Sequence, residues 1–243
     1  LLLKVSCPEE SPAMDKAIDA RALLGVIFDL DGTLLDTAPD LAAALNRALA
    51  AVGRRALSLD EVKPMIGDGV ERLIERASAA TGGALPPDDH VRTVQRYRAA
   101  MLDAPVPPVF PGARGVLESL RKAHVRIAVC TNKPNAAARE VLRRTGLADL
   151  LDTVVGADAA PLKPDPTMVH EALLTLDVRP ANAALVGDSE VDVATARAAS
   201  LPVVLLGHGY VRGRLVDAGA DATTNDFATL LPTLRSIGFR IGP

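Results

Sequence analysis

The sequence has no tryptophan, only two tyrosines and four phenylalanines, and its basic residues are scattered among acidic ones over the whole length. A chain so poor in aromatics has little to stack on bases, and no block of Lys and Arg follows a phosphate backbone. Nucleic acid is therefore excluded as the main partner. Cysteine is scarce too: Cys7 and Cys130 are too few for a disulfide framework. Cys130 closes an apolar run and reads as a buried free thiol, which suits a reducing cytoplasm. No apolar run approaches the roughly 18 residues of a membrane span. Leu1-Leu2-Leu3 is soon interrupted by Lys4, Glu9 and Glu10, so no signal peptide is expected. Residues 1–20 read as a loose tail lying mostly upstream of a natural start at Met14.

What is present is the composition of a globular enzyme. The 243 residues are 49% hydrophobic and 23% charged, with a net charge of -3, enough to bury a large core. Leu23–Phe28 is a compact apolar run that ends at an acidic turn, as a strand buried on both faces would. Similar runs recur at Val125–Cys130, Thr153–Gly156, Ala183–Val186 and Pro202–Leu206. Helical spacing fills the intervals at Gly112–Ala123, Asn135–Thr145, Pro166–Leu176 and Val191–Ala199. This alternation predicts an α/β fold with a doubly wound parallel sheet.

One interval breaks the rhythm. Residues 37–108 carry helical patterns at Leu41–Ala51, Val70–Ala80 and Val91–Leu102, far more than one crossover needs. The expected organisation is a core of residues 21–36 and 109–243, with residues 37–108 as a helical cap inserted after the first strand. The proline-rich stretch Pro105–Gly112 would be its semi-rigid return path.

The chemistry gathers at strand ends. Asp29 and Asp31 in Asp29-Leu30-Asp31-Gly32-Thr33 face one space if the chain is extended, and two carboxylates that close call for a cation between them. Such oxygen ligands suit Mg²⁺. The next strand ends in Thr131-Asn132-Lys133-Pro134, a hydroxyl and an amide at a helix start, where anions are attracted. After the third strand comes Lys163, and after the fourth Gly187-Asp188-Ser189. Ser189 and Asp192 match a capping box and have a structural explanation of their own. All four sets fall at the carboxyl edge, where open α/β sheets bind ligands.

In this order, Asp29-Leu30-Asp31-Gly32-Thr33, Thr131, Lys163 and Gly187-Asp188-Ser189 resemble the four motifs of the haloacid dehalogenase superfamily, over nearly everything from Leu23 to Leu231. The insert resembles the helical cap of that family's first cap class, on a Rossmann-like core. More narrowly, Thr131-Asn132-Lys133-Pro134, Lys163-Pro164-Asp165-Pro166 and Gly207-His208-Gly209-Tyr210 followed by Gly219-Ala220-Asp221 are similar to bacterial phosphoglycolate phosphatases. The resemblance implies a phosphomonoester hydrolase with Asp29 as nucleophile, Asp31 as acid and base, and Thr131 and Lys163 on the phosphoryl group. Mg²⁺ would be held by Asp29, Asp31 through its backbone carbonyl, and Asp188. Asp192 would support the site or cap a helix rather than touch the metal. The carboxylate at Asp31 speaks against a dehalogenase, whose halide leaving group needs no proton, and Lys63 is the only cap lysine for a Schiff base.

The expected substrate is a small phosphorylated metabolite, taken up by a monomer or homodimer. Asn132 joins Thr131 and Lys163 as a binding residue. In the cap, Gly67 and Gly69 open a helix whose amides can meet a carboxylate, with Arg72 adding a charge; the alternative is a flexible loop and helix start with Arg72 solvated. The first reading favours 2-phosphoglycolate; a sugar-phosphate phosphatase, a β-phosphoglucomutase-like mutase and a non-catalytic phosphate-binding scaffold are the alternatives. His90, His124 and His170 read as surface or structural, while His208 lies near the site edge.

Overall fold

The computed structural model describes residues 21–210 and 214–242; the tail expected over residues 1–20 lies outside them. Six strands form one sheet in the order β4-β3-β2-β5-β6-β7, every neighbour parallel: β2 (Gly25–Phe28), β3 (Arg126–Cys130), β4 (Thr153–Val155), β5 (Ala183–Gly187), β6 (Val203–Leu206) and β7 (Ala222–Thr224). A second, two-stranded sheet pairs β1 (Arg21–Ala22) with β8 (Phe239–Arg240). The five expected strands are all present. β7 and the small sheet are additions that short, mixed Ala-Thr-Thr and Phe-Arg sequences do not announce.

Alternation along the strands divides the core in two. Val26 and Phe28 face one side with Ile127, Val129, Val186 and Val204. There they are covered by α5 (Ala113–Lys122), α6 (Asn135–Arg144) and α9 (Leu230–Ser236). Ile27 faces the other side with Ala128, Cys130, Leu185 and Leu205, under α7 (Thr167–Leu176) and α8 (Glu190–Ala198). Burial on both faces explains why these strands read as unbroken apolar runs.

The segment between β2 and α5 holds α1 (Ala38–Ala50), α2 (Leu59–Val62), α3 (Val70–Ala80) and α4 (Pro87–Leu102), packed around their own apolar cluster. In α1, Pro39 near the start presets the helical φ, and Leu41, Ala44, Leu45, Ala48 and Leu49 line the buried face. The two chain crossings between insert and core are stapled together. The Asp36 amide donates to the Pro108 carbonyl (3.0 Å), and the Phe110 amide to the Leu34 carbonyl (3.0 Å), around an antiparallel Leu35–Val109 bridge. Among the described residues, no helix is long and apolar enough to cross a membrane.

Candidate active site

Register decides what meets at the sheet edge. Phe28 lies level with Val129 on one side and Val186 on the other, so the residues just beyond them emerge together. Asp29 continues the ladder by one bond, its amide donating to the Val186 carbonyl at 2.9 Å. Gly32 then turns the chain with φ +91°, a conformation costly for residues with a Cβ. A Cβ there would also strike the Asp188 carboxylate and the Tyr210 ring.

Lys163 is the centre of charge. Its ammonium is 2.8 Å from Asp29 Oδ1 and 2.7 Å from Asp192 Oδ1, with the lysine side chain only 3% exposed. Burial works against that charge, yet Asp192 and Asp29 together hold the lysine pKa above its ordinary value. Burial drives Asp29 up to about 7; Lys163 opposes this, and repulsion from Asp192 and Asp31 adds to it. Asp188 is likewise raised well above its usual value, by burial first and then by Asp192 and Asp29. Carboxylate oxygens of Asp29, Asp188 and Asp192 all lie within 4.8 Å of one another. Three buried carboxylates around one lysine leave excess negative charge, and that donor set fits a divalent cation with oxygen preference.

Asp192 is nevertheless fully engaged by the protein. Besides Lys163 on Oδ1, its Oδ2 accepts from Ser189 Oγ (2.8 Å), the Ser189 amide (3.1 Å) and the Asp188 amide (3.2 Å). It caps α8 and holds Lys163. Asp188 is itself held by Thr33 Oγ1 (2.8 Å) and the Tyr210 amide (2.7 Å).

Asp31 points elsewhere. Both its oxygens are clasped by Lys133 Nζ, at 2.9 and 2.8 Å. The sequence carries one signal for this pairing, a cation two residues past Thr131, but nothing in its spacing assigns Lys133 to Asp31. Thr131 is buried, and its Oγ1 accepts from the Lys133 amide at 3.2 Å. Asn132 reaches the site but is committed to backbone. Its Nδ2 donates to the Gly67 carbonyl (2.8 Å) and the Lys163 carbonyl (3.1 Å), while Oδ1 accepts from the Lys163 amide (2.8 Å). It thus straps together two loops of the core and one of the insert.

A cavity of about 450 Å³ lies between core and insert, with Asp29, Asp31 and Thr131 on one side and Ile66, Gly67 and Leu73 on the other. Gly69 lines it as well and precedes α3 with φ +85°. Arg72 does not join them: its side chain is 67% exposed and pairs with Glu75 at 2.6 Å. In α3, Leu73, Ile74 and Ala77 face inward, and helical phase turns Arg72 outward. Arg98, Arg144 and Lys133 are the basic residues lining the cavity. Lys63 is not part of its lining. His208 stacks on Phe110 (centroids 4.0 Å apart) and lies 3.2 Å from the Thr33 carbonyl, a supporting place at the crossing.

Residues 26–206 match the family model of the haloacid dehalogenase-like hydrolases. The chain belongs to that family. It is 43% identical over 212 residues to a phosphoglycolate phosphatase of Rhodospirillum rubrum, covering 84% of this chain and 88% of that one. A crystal structure described as a predicted phosphoglycolate phosphatase from Haemophilus somnus 129PT superposes with a TM-score of 0.81 at 28% identity, covering 86% of this chain and 97% of that one. CbbY from Rhodobacter sphaeroides, in complex with xylulose-(1,5)bisphosphate, superposes with a TM-score of 0.69 at 27% identity, covering 86% and 96%. In this haloacid dehalogenase-like hydrolase, the cluster of Asp29, Asp188 and Asp192 lies at the switch point between β2 and β5, where strand order reverses.

Proposed function

We propose that this hydrolase cleaves 2-phosphoglycolate to glycolate and inorganic phosphate, with Mg²⁺ as cofactor, in the cytoplasm, where Cys130 stays reduced. One observation carries the chemistry: two carboxylates at the end of a single strand are held apart by two different lysines, Asp29 on Lys163 and Asp31 on Lys133. A cation shared by Asp29 and Asp188 would keep Asp29 ionised to attack phosphorus, which leaves Asp31, outside that acidic cluster, to carry protons.

Asp29 attacks phosphorus, the bond from phosphorus to the glycolate oxygen breaks, and Asp31 protonates the departing alkoxide. A water then attacks the aspartyl-phosphate, gives its proton to Asp31, and the bond to Asp29 breaks to release phosphate. Thr131 and Lys163 hold phosphoryl oxygens through both steps. Asp29, Asp188 and the Asp31 carbonyl would hold Mg²⁺, whose positive charge offsets the repulsion between carboxylate and phosphate.

The substrate's own carboxylate needs a cation near Asp31, and Lys133 supplies it in place of Arg72. Gly67 and Gly69 close the other side of the space. Relatives of high identity that carry the phosphoglycolate phosphatase name support this choice. A second reading has one observation in its favour: a cavity of about 450 Å³ that includes Arg98 and Arg144 also has room for a larger sugar phosphate.

The test is phosphate release from a panel of phosphomonoesters with Mg²⁺, comparing wild type with Lys133→Met. Preference for 2-phosphoglycolate over p-nitrophenyl phosphate should fall about tenfold or more in the variant, the worth of a charge-assisted contact. A wild type that turns over sugar phosphates and leaves 2-phosphoglycolate untouched overturns the substrate assignment.

A further inference from the structure

We propose that Tyr210 is a positioning residue that ties the seat of the helical insert to the Asp188 carboxylate. α1 begins at the point where the chain leaves the core, and its first residues need partners for amides that have none within the helix. Thr37 stands at the cap position but makes no capping bond with its side chain. The Tyr210 hydroxyl does the work instead, accepting from the amides of Thr37 (3.1 Å) and Ala38 (2.9 Å). It also donates to Asp36 Oδ1 at 3.3 Å. The bonds span 173 and 172 residues of sequence, so a residue that follows β6 caps the first helix of the insert.

The same residue reaches the site through its backbone, its amide donating to Asp188 Oδ2 at 2.7 Å. There is little slack between these contacts. Tyr210 is 4% exposed and packs in the apolar cluster of the insert. A Cβ on Gly32 would strike both the Tyr210 ring and Asp188, and one on Gly209 would strike Asp188 again. His208, two residues earlier, stacks on Phe110 of the returning crossing. One short loop after β6 therefore touches both crossings and one site carboxylate.

The inference rests on the proposed hydrolysis only for its choice of substrate. Tyr210→Phe keeps the ring and the amide bond to Asp188, and removes only the oxygen that seats α1. The KM for 2-phosphoglycolate should rise about tenfold, as expected for two buried donors left without a partner. Inhibition by inorganic phosphate, which needs only the core, should stay within about twofold of wild type, since the Asp188 bond is retained. Unchanged KM overturns the proposal, and so does an equal loss of phosphate affinity, which would mark general damage to the core. If wild type prefers another phosphomonoester, the substrate reading fails by itself, and the same comparison is run with that compound.

Discussion

Replacing Asp192 with Asn tests the charge network most directly, because the shape is kept and only one charge is lost. Whichever way the new amide turns, its NH₂ group meets donors: Lys163 Nζ on one side, or Ser189 Oγ and two backbone amides on the other. The side chains of Lys163 and Asp192 are 3% and 0% exposed, so solvent does not screen the pair. Removing one partner of such a buried pair costs about 3–5 kcal/mol. Two effects offset part of this: Lys163 keeps Asp29 at 2.8 Å, and the repulsion that Asp192 exerts on Asp29 and Asp188 is relieved. The expected loss is therefore about 2–3 kcal/mol, equivalent to a melting point lower by ~4–12 °C for a chain of this length. Urea unfolding and calorimetry measure it, and kcat should fall in parallel because Lys163 loses its orientation. A loss below about 1 kcal/mol with kcat intact would refute the argument that Asp192 holds Lys163.

Asp29→Asn should reduce phosphate release to below about 1% of wild type with the circular-dichroism melt preserved; retained turnover without deamidation would remove Asp29 as nucleophile. Gly32→Ala should destabilise by about 1–3 kcal/mol and lower activity, since it places a Cβ at positive φ against Asp188; wild-type behaviour in both assays would contradict the close approach. Cys130, whose thiol burial pushes up to about 12, should resist maleimide at pH 8 in the native protein and react in urea. Peptide mapping that finds native labelling at Cys130 would show that the sheet opens there.

Much of the fold was open to reading because a strand covered on both sides must be apolar throughout. Val26, Ile27 and Phe28 illustrate this, all fully buried but divided between the two faces of the sheet. β7 escaped because Ala222-Thr223-Thr224 is a three-residue edge strand with one covered flank. α3 was legible to the residue, yet the outward phase of Arg72 was not drawn from it, although Leu73, Ile74 and Ala77 already implied it.

By itself, the sequence determined the parallel sheet and singled out Asp29, Asp31, Thr131, Lys163 and Asp188 as candidates, since runs of apolar residues and the polar residues that follow them are local features. The partners of those residues were decided only by the tertiary structure. Lys133 closes on Asp31 across 102 residues of chain, and Tyr210 reaches α1 across 172. Such pairings depend on register and loop path, which no spacing along the chain encodes. Burial then converts them into chemistry, because a carboxylate out of water takes its charge state from the neighbours the fold provides.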